Sequence, residues 1–303
     1  MEGNFEIILY YKYTTVGDPT AFMLWHKYLC AKLFLKGRVL IATEGINGTL
    51  EGTPQNIEEY CKALTSSSVK ETFGDFTDVV FKRSPGTGDA FGKLVVKVRK
   101  EIVSAHLGED DVNPNELTGI HLPPDELKKW YESGEAGKDF HIIDMRNTYE
   151  YKVGRFKGST DAGMRNFRDL KDIVSNLEHL KDKKVLTVCT GGVRCEKASG
   201  YLLKKGFKDV YQLDGGMATY MEKFPGKDFD GSLYVFDNRI TIDTTKDRTV
   251  VGKCEYCNGD SEKYVNCMNN FCHLHFIACE KCLEEREGKI FCVNNCVEET
   301  VTV

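Results

Sequence analysis

The sequence predicts a multidomain protein of mixed α/β and α+β class. A ferredoxin-like α+β domain comes first, a parallel-sheet α/β domain follows, and a small cysteine-rich unit ends the chain. Three observations carry this. The first hundred residues read β-α-β-β-α-β, the order of a split βαβ sandwich. From about residue 125, short apolar strands alternate with helix-like stretches, as βαβ units do. Eight of the twelve cysteines fall between Cys254 and Cys296.

Each element has its own signal. FEIILYYKY (5–13) is strand-like, and Thr20 to Lys36 carries Phe22, Trp25, Leu29 and Leu33 at helical spacing. VLIA (39–42) and GTLEG (48–52) flank an expected turn at Glu44-Gly45-Ile46-Asn47-Gly48. A polar helix follows Pro54, a residue suited to a first helical turn. FTDVVFKRS (76–84) and GKLVVKVRKEIV (92–103) read as two more strands. The acidic segment LGEDDVNPNELTGIHLPPDE, with three prolines, reads as a linker. Beyond it, FHIID (140–144), KKVLTVC (183–189) and KDVYQL (208–213) are strands, and ASGYLLKKGF (198–207) is a helix with a glycine stop. The expected division is 1–108, a linker at 109–124, 125–226, a connecting segment at 227–250, and 251–303.

Composition narrows the function classes. A net charge of −5 over 303 residues excludes a uniformly basic nucleic-acid binder, though not a local patch. Lys82, Arg83, Lys93, Lys97, Arg99 and Lys100 form one basic cluster, either a solvated strand face or an RNA contact. No apolar run reaches the roughly 18 residues of a membrane span. The start of the chain lacks the basic region of a signal peptide. A reducing cytoplasm is therefore expected, where clustered cysteines bind metal rather than pair as disulfides.

CTGGVRCEKA (189–198) carries the chemistry. It joins the end of a parallel strand to the start of a helix, where α/β folds place ligands. Gly191 and Gly192 let backbone N–H groups converge into an anion-binding nest backed by the helix N-terminus. A cysteine at its centre, Cys189, is expected to ionise near neutral pH. Arg194 adds a fixed cation with a planar fork. Cys195 reads as a second reactive thiol, a resolving partner or a small packed residue.

These residues resemble the active-site loop of the rhodanese (sulfurtransferase) family. Cys189, Gly192 and Arg194 match, and Cys195 stands where serine is usual. IIDMRNTYEYKVGRFKGS (142–159) resembles a second rhodanese signature through Asp144, Arg146, Glu150, Tyr151, Gly154 and Gly158, with Arg155 in place of the usual histidine. LDGGMATY (213–220) is similar to the closing glycine-pair segment. Four residues, Thr190 to Val193, separate Cys189 from Arg194. That length suits a persulfide loop, whereas related dual-specificity phosphatases need one residue more.

With RVLIATEGINGTLEG (38–52), KVRKEIV (97–103) and LYVFDNR (233–239), nearly the whole chain is similar to the rhodanese-domain tRNA uridine hydroxylase family. The resemblance implies oxygen-dependent conversion of the wobble uridine (position 34) of tRNA to 5-hydroxyuridine. Molecular oxygen is then a co-substrate and the tRNA anticodon region the partner, with no DNA or membrane. Cys189 and Arg194 are the expected catalytic residues, with Thr190, Gly191, Gly192, Val193 and Cys195 as the loop and Asp144 and Arg146 in support. Lys97, Arg99, Lys100, Arg165 and Arg168 are candidate RNA contacts, with Phe167 stacking or packing beside them. No nicotinamide or flavin fingerprint is present, so no nucleotide cofactor is expected. The competing readings are a persulfide sulfurtransferase and a non-enzymatic binding module. Oligomeric state leaves no mark in the sequence.

The tail reads C-x2-C (Cys254, Cys257), C-x4-C (Cys267, Cys272), C-x2-C (Cys279, Cys282) and C-x3-C (Cys292, Cys296). Two short pairs complete a tetrahedral thiolate shell, so two structural zinc ions are expected. Nine residues separate the first pair from the second, and nine the third from the fourth. Equal spacing suggests a cross-brace, first with third and second with fourth; sequential pairing is the alternative. His273 and His275 read as alternating strand residues rather than ligands.

Overall fold

The computed structural model describes residues 4–243, 245, 247–293 and 296. The first domain contains β1 (Phe5–Tyr13), α1 (Pro19–Lys32), β2 (Lys36–Ala42), β3 (Gly45–Gly52), α2 (Pro54–Leu64), α3 (Ser67–Thr72), β4 (Lys82–Gly86) and β5 (Leu94–Val98). Its strands lie in the order β4-β1-β3-β2-β5. The first four in that row are the antiparallel ferredoxin-like core, and β5 adds a parallel edge to β2. Pro19 and Pro54 open their helices behind the N-caps Asp18 and Thr53. Alternation divides the strands between two faces. Ile8, Tyr10, Val39, Ile41, Ile46 and Leu50 are buried in the core under the helices. Leu9, Tyr11, Leu40, Asn47 and Thr49 belong to the other face, which turns toward the second domain.

Three sequence expectations shift here. The turn between β2 and β3 is Thr43-Glu44 alone, and Gly45 to Gly48 already pair with β1. Gly45 is glycine because β1 passes too close: a Cβ would lie 2.0 Å from the Lys12 carbonyl oxygen, at φ +147°. In FTDVVFKRS the strand starts only at Lys82. Upstream, Asp75 accepts hydrogen bonds from the Thr77 N–H and hydroxyl and closes a local turn. The ladder of β5 ends when side chains take over the backbone: the Ile102 N–H donates to Glu44, and Asn47 Nδ2 donates to the Ile102 carbonyl.

The second domain has β6 (Ile120–Leu122), α4 (Pro124–Ser133), β7 (His141–Asp144), α5 (Thr148–Val153), β8 (Gly154–Phe156), β9 (Thr160–Asp161), α6 (Leu170–Ile173), β10 (Lys184–Val188), α7 (Val193–Lys204), β11 (Asp209–Leu213) and α8 (Gly216–Lys223). The sheet order is β6-β11-β10-β7-β9, every pair parallel. β6 lies inside the stretch read as linker, because Ile120–Leu122 pairs with Tyr211–Leu213 of β11. Apolar clusters fill both faces of this sheet. The chain then runs through β12 (Phe229–Gly231), β13 (Leu233–Tyr234) and β14 (Thr241–Ile242) into the tail, with β15 (Tyr264–Asn266), β16 (His275–Ile277) and α9 (Glu280–Glu284). Among the described residues no helix is long and apolar enough to cross a membrane.

The domains are locked together by a lysine. Lys197 on α7 is fully buried, and its Nζ meets Glu44 (2.8 Å), Asp111 (2.9 Å) and Glu101 (3.7 Å). Glu44 sits at the β2–β3 turn just before GINGT, so that turn serves as a clasp between domains.

Candidate active site

β10 ends at Val188, and α7 begins at Val193 behind the N-cap Gly192, which has φ +102°. The loop therefore spans Cys189 to Gly192, and the helix starts earlier than the sequence suggests. The Gly192 N–H donates to Cys189 Sγ at 3.1 Å. Gly192 also receives the Cys195 and Glu196 N–H groups on its carbonyl, which fixes the first turn of α7. The LDGGMATY segment closes from the side: the Met217 N–H donates to the Cys189 carbonyl (2.9 Å) and the Ala218 N–H to that of Thr190 (3.0 Å). A Cβ on Gly216 would lie 2.7 Å from both the Cys189 carbonyl oxygen and the Gly192 nitrogen, so only glycine allows this approach.

Cys189 is fully buried. Burial alone raises a thiol's pKa. Here the Cys195 thiol, the Arg194 charge and the N–H groups of Cys195 and Arg194 outweigh it, and Cys189 is lowered from 9.0 to about 6. Cys195, equally buried, is pushed well up by burial and by the neighbouring Cys189. The two cysteines thus divide into a thiolate and a thiol that supports it.

The Arg194 fork is taken up mainly by Glu150. Nη1 and Nη2 bind the Glu150 carboxylate at 2.6 and 3.0 Å, and Nη2 reaches Thr190 Oγ1 at 3.4 Å. Burial opposes the charge, yet Glu150 holds the guanidinium firmly ionised. The Arg194 side chain acts on Cys189 through its field, while its backbone N–H acts by hydrogen bond. Asp144 and Arg146 form a second, fully buried bidentate pair, with Arg146 Nη2 also donating to the Gly154 carbonyl at 2.6 Å. They stand one layer behind the loop, where they fix the β7 end and α5.

The open face of the first domain's sheet roofs the loop. A Cβ on Gly191 would meet Leu9 Cδ2 at 2.7 Å, and one on Gly192 the Tyr11 hydroxyl at 2.8 Å. Between sheet and loop lies a cleft of about 500 Å³, walled by Cys189, Thr190, Gly191, Val193 and Arg194 below and Leu9, Tyr11, Arg38 and Lys82 above. Phe236, 58% exposed, closes one end with Arg194 5.7 Å from its ring centroid. A second cavity of about 440 Å³ shares Tyr11 and Lys82 with the first. Glu196 lies on its wall and accepts from Tyr11 (2.9 Å), Thr118 (3.1 Å) and Gln212 (2.8 Å), with His121 Nε2 at 3.0 Å. Burial raises this carboxyl, and hydrogen bonds from His121, Gln212 and Tyr11 more than reverse that.

The candidate RNA contacts lie apart from this wall. Lys97, Arg99 and Lys100 are exposed on and after β5, and Arg168 is exposed. Arg165 donates to the Cys272 carbonyl at 3.2 Å, tying the tail to the second domain. Phe167 is buried and packs. Sequence reasoning missed Leu9, Tyr11 and Phe236 as cleft residues. It placed Lys82 in a surface patch and used Glu150 only as a motif match. Only period-2 alternation along β1 and β4 marks the roof, and nothing in a single strand says which face is covered.

In the tail, Cys254, Cys257, Cys279 and Cys282 converge, as do Cys267, Cys272, Cys292 and Cys296. All four sulfurs of each set lie within 4.8 Å of one another. Measured separations are 3.7 Å for Cys257–Cys279, 3.7 Å for Cys272–Cys292 and 3.5 Å for Cys292–Cys296. A tetrahedron with metal–sulfur bonds of ~2.3 Å has edges of ~3.8 Å, so each set fits one thiophilic metal ion. The cross-brace is the arrangement present. His275 lies outside both sets: it bonds Asn266 and Tyr234 and stacks on Tyr264 at 4.6 Å.

Comparison with known proteins adds three family matches. Residues 5–102 match the UPF0176 acylphosphatase like domain, residues 123–223 the rhodanese-like domain, and residues 230–297 the rhodanase C-terminal family. A Staphylococcus saprophyticus protein named tRNA uridine(34) hydroxylase is 45% identical over 282 residues, which is 92% of this chain and 86% of that one. A protein of the same name from Shouchella clausii is 44% identical, covering 95% and 87%. One from Cytophaga hutchinsonii is 41% identical, covering 94% and 88%.

Proposed function

The chain belongs to the tRNA uridine(34) hydroxylase family, and we propose that it converts wobble uridine in tRNA to 5-hydroxyuridine with Cys189 as nucleophile. The observation that carries this reading is the roofed cleft itself. It holds a low-pKa cysteine at its floor, cationic residues on its walls and a volume of about 500 Å³. Pockets of roughly 300–1,000 Å³ enclose small-molecule-sized ligands, and a base swung out of the anticodon loop is one.

In this reading, the Cys189 thiolate adds to C6 of the uracil. C5 becomes electron-rich and takes one atom of dioxygen. The other leaves as water with two electrons and two protons from an external thiol-class reductant, and loss of the C5 proton then expels Cys189 from C6 to leave C5–OH. Molecular oxygen is the proposed source. Arg194 and the loop N–H groups hold the sulfur ionised before and after the addition. The Leu9–Tyr11 roof excludes water from the buried face of the base. The exposed cations Lys97, Arg99, Lys100, Arg165 and Arg168 would meet phosphates of the surrounding anticodon stem. Zinc is the ion proposed for both thiolate sets, in a structural role and in a reducing cytoplasm.

The test is nucleoside mass spectrometry of tRNA from a deletion strain complemented with wild type or Cys189→Ser. Restoration of 5-hydroxyuridine derivatives by wild type only is expected. Equal restoration by Cys189→Ser would end the nucleophile reading. Unchanged derivatives in the deletion strain, with thiosulfate sulfurtransfer by the purified protein, would favour the persulfide alternative.

A further inference from the structure

Among the described residues, the cleft contains a cation with no carboxylate partner. β4 pairs with β1 so that Lys82 stands directly opposite Leu9. Opposite residues of an antiparallel pair share a face. Leu9 packs on Gly191, so Lys82 projects from the same face toward the loop. Its Nζ lies 5.2 Å from the Tyr11 ring centroid, and it lines both cavities. Most other cations nearby are engaged. Arg83 holds Glu6 and Glu58, Lys12 holds Asp78, Arg239 holds Asp237 and Arg194 holds Glu150. No carboxylate lies within 4.0 Å of Lys82 Nζ among the described residues. Arg38, the other unpaired cation of the wall, stands out in solvent at the rim. Burial lowers the Lys82 pKa, and the facing charges of Cys189, Asp214 and Glu196 oppose that.

We infer that Lys82 is a catalytic residue of this site, whose ammonium receives the negative charge that builds on O4 of the uracil when Cys189 adds to C6. The inference rests on the proposed Cys189 addition. The thiolate lone pair forms the S–C6 bond. The C5=C6 π pair shifts to C4–C5, and the C4=O4 π pair moves onto O4. Lys82 donates a hydrogen bond or proton to that oxygen and recovers it when C4=O4 re-forms. No oxidant enters this step. The product, an enol or enolate with an electron-rich C5, is the species that oxygen would attack. Lys82 is placed for O4 rather than phosphate because it lines the cleft with Cys189 from β4, directly opposite Leu9 of the β1 strand that touches the loop. A donor fixed in a water-poor cleft needs no reorganisation when the charge appears.

The addition can be isolated with an anticodon stem-loop carrying 5-fluorouridine at position 34. Fluorine takes the place of the C5 hydrogen and makes C6 more electrophilic, so without oxygen the covalent protein–RNA adduct, quenched in denaturant and read by mass, reports the first step alone. Wild type is expected to form the adduct and Cys189→Ser to form none. Lys82→Met should bind the stem-loop within a few-fold of wild type and form adduct ~10²–10³-fold more slowly, the range for loss of one oxyanion donor. Lys82→Arg, which keeps a charged donor, should recover at least ten-fold of that loss. Adduct formation by Lys82→Met at the wild-type rate overturns the inference and leaves the Cys189 reading intact. A loss in Lys82→Met confined to binding, with a normal rate at saturation, assigns Lys82 to phosphate and also overturns it. Absence of adduct with wild type overturns the addition itself, and with it the role given to Lys82.

Discussion

Replacing Cys195 with alanine removes the neighbouring thiol that most lowers the Cys189 pKa, ahead of the Arg194 charge and two backbone N–H groups. A hydrogen bond to a charged acceptor is worth about 1.5–3 kcal/mol. At 1.36 kcal/mol per pKa unit, its loss moves the Cys189 midpoint up by roughly one to two units. With the wild-type midpoint at about 6, the thiolate fraction at pH 7 is ~0.9; a midpoint near 7 or 8 leaves ~0.5 or ~0.1. The assay is thiolate absorbance at 240 nm, titrated as the difference between Cys195→Ala and the Cys195→Ala/Cys189→Ser double variant, so that the eight tail thiolates cancel. Cys195→Ser keeps a donor and should stay near wild type. Stability follows with a definite sign. An acid lowered by folding contributes stability above its unfolded pKa and loses it as pH falls through the folded value. Wild type should therefore lose ~1.4 kcal/mol per unit between pH 9 and pH 6 relative to Cys189→Ser, and Cys195→Ala should show that slope only above its higher midpoint. A Cys195→Ala midpoint at or below that of wild type would refute the reasoning.

Other variants test the frame around the loop. Glu150→Gln leaves the buried Arg194 cation without its bidentate anion, and should cost about 3–5 kcal/mol in urea unfolding of the second domain. Lys197→Met strands three carboxylates at the domain junction; the two domains should then unfold at separate temperatures by calorimetry, whereas a single unshifted transition would show the clasp to be idle. Elemental analysis of purified protein should give two zinc ions per chain, and Cys254→Ser one. Two metals retained in that variant would contradict the four-sulfur sets.

How much was legible follows from how local each signal is. The loop at Cys189 is contiguous, and its glycines can be read directly as backbone demands. The tail is legible because cysteine pairs at short spacing have few other uses; equal spacing suggests the cross-brace but leaves sequential pairing open. The sheet of the first domain follows from apolar alternation, but its roofing role does not, since Leu9 and Tyr11 alternate like any two-faced strand. Lys82 reads as surface charge for the same reason: only the β1–β4 register puts it opposite Leu9. β6 was hidden because three residues between prolines are too few for a periodic signal. The Arg194–Glu150 pair spans 44 positions, beyond the reach of any local pattern.

The tail's place in the molecule follows from what it touches. Tyr264 donates to the Tyr149 carbonyl at 2.5 Å, and Lys152 binds Glu255 at 2.6 Å. Val153, Tyr234, Tyr264 and Ile277 close an apolar cluster between tail and α5. That helix, six residues long, carries Glu150 between Tyr149 and Lys152. So short a helix has little stability of its own. The second metal set also holds the Cys272 carbonyl to which Arg165 donates. A metal ion held by these cysteines would therefore reach the loop in three steps: it would fold the tail, the tail holds α5, and α5 holds Glu150 against Arg194. Chelation should raise the Cys189 midpoint as well as melt the tail, because a loosened Glu150 leaves Arg194 free to turn toward solvent. A Cys189 titration unchanged after both metals are removed would break that chain at its second step.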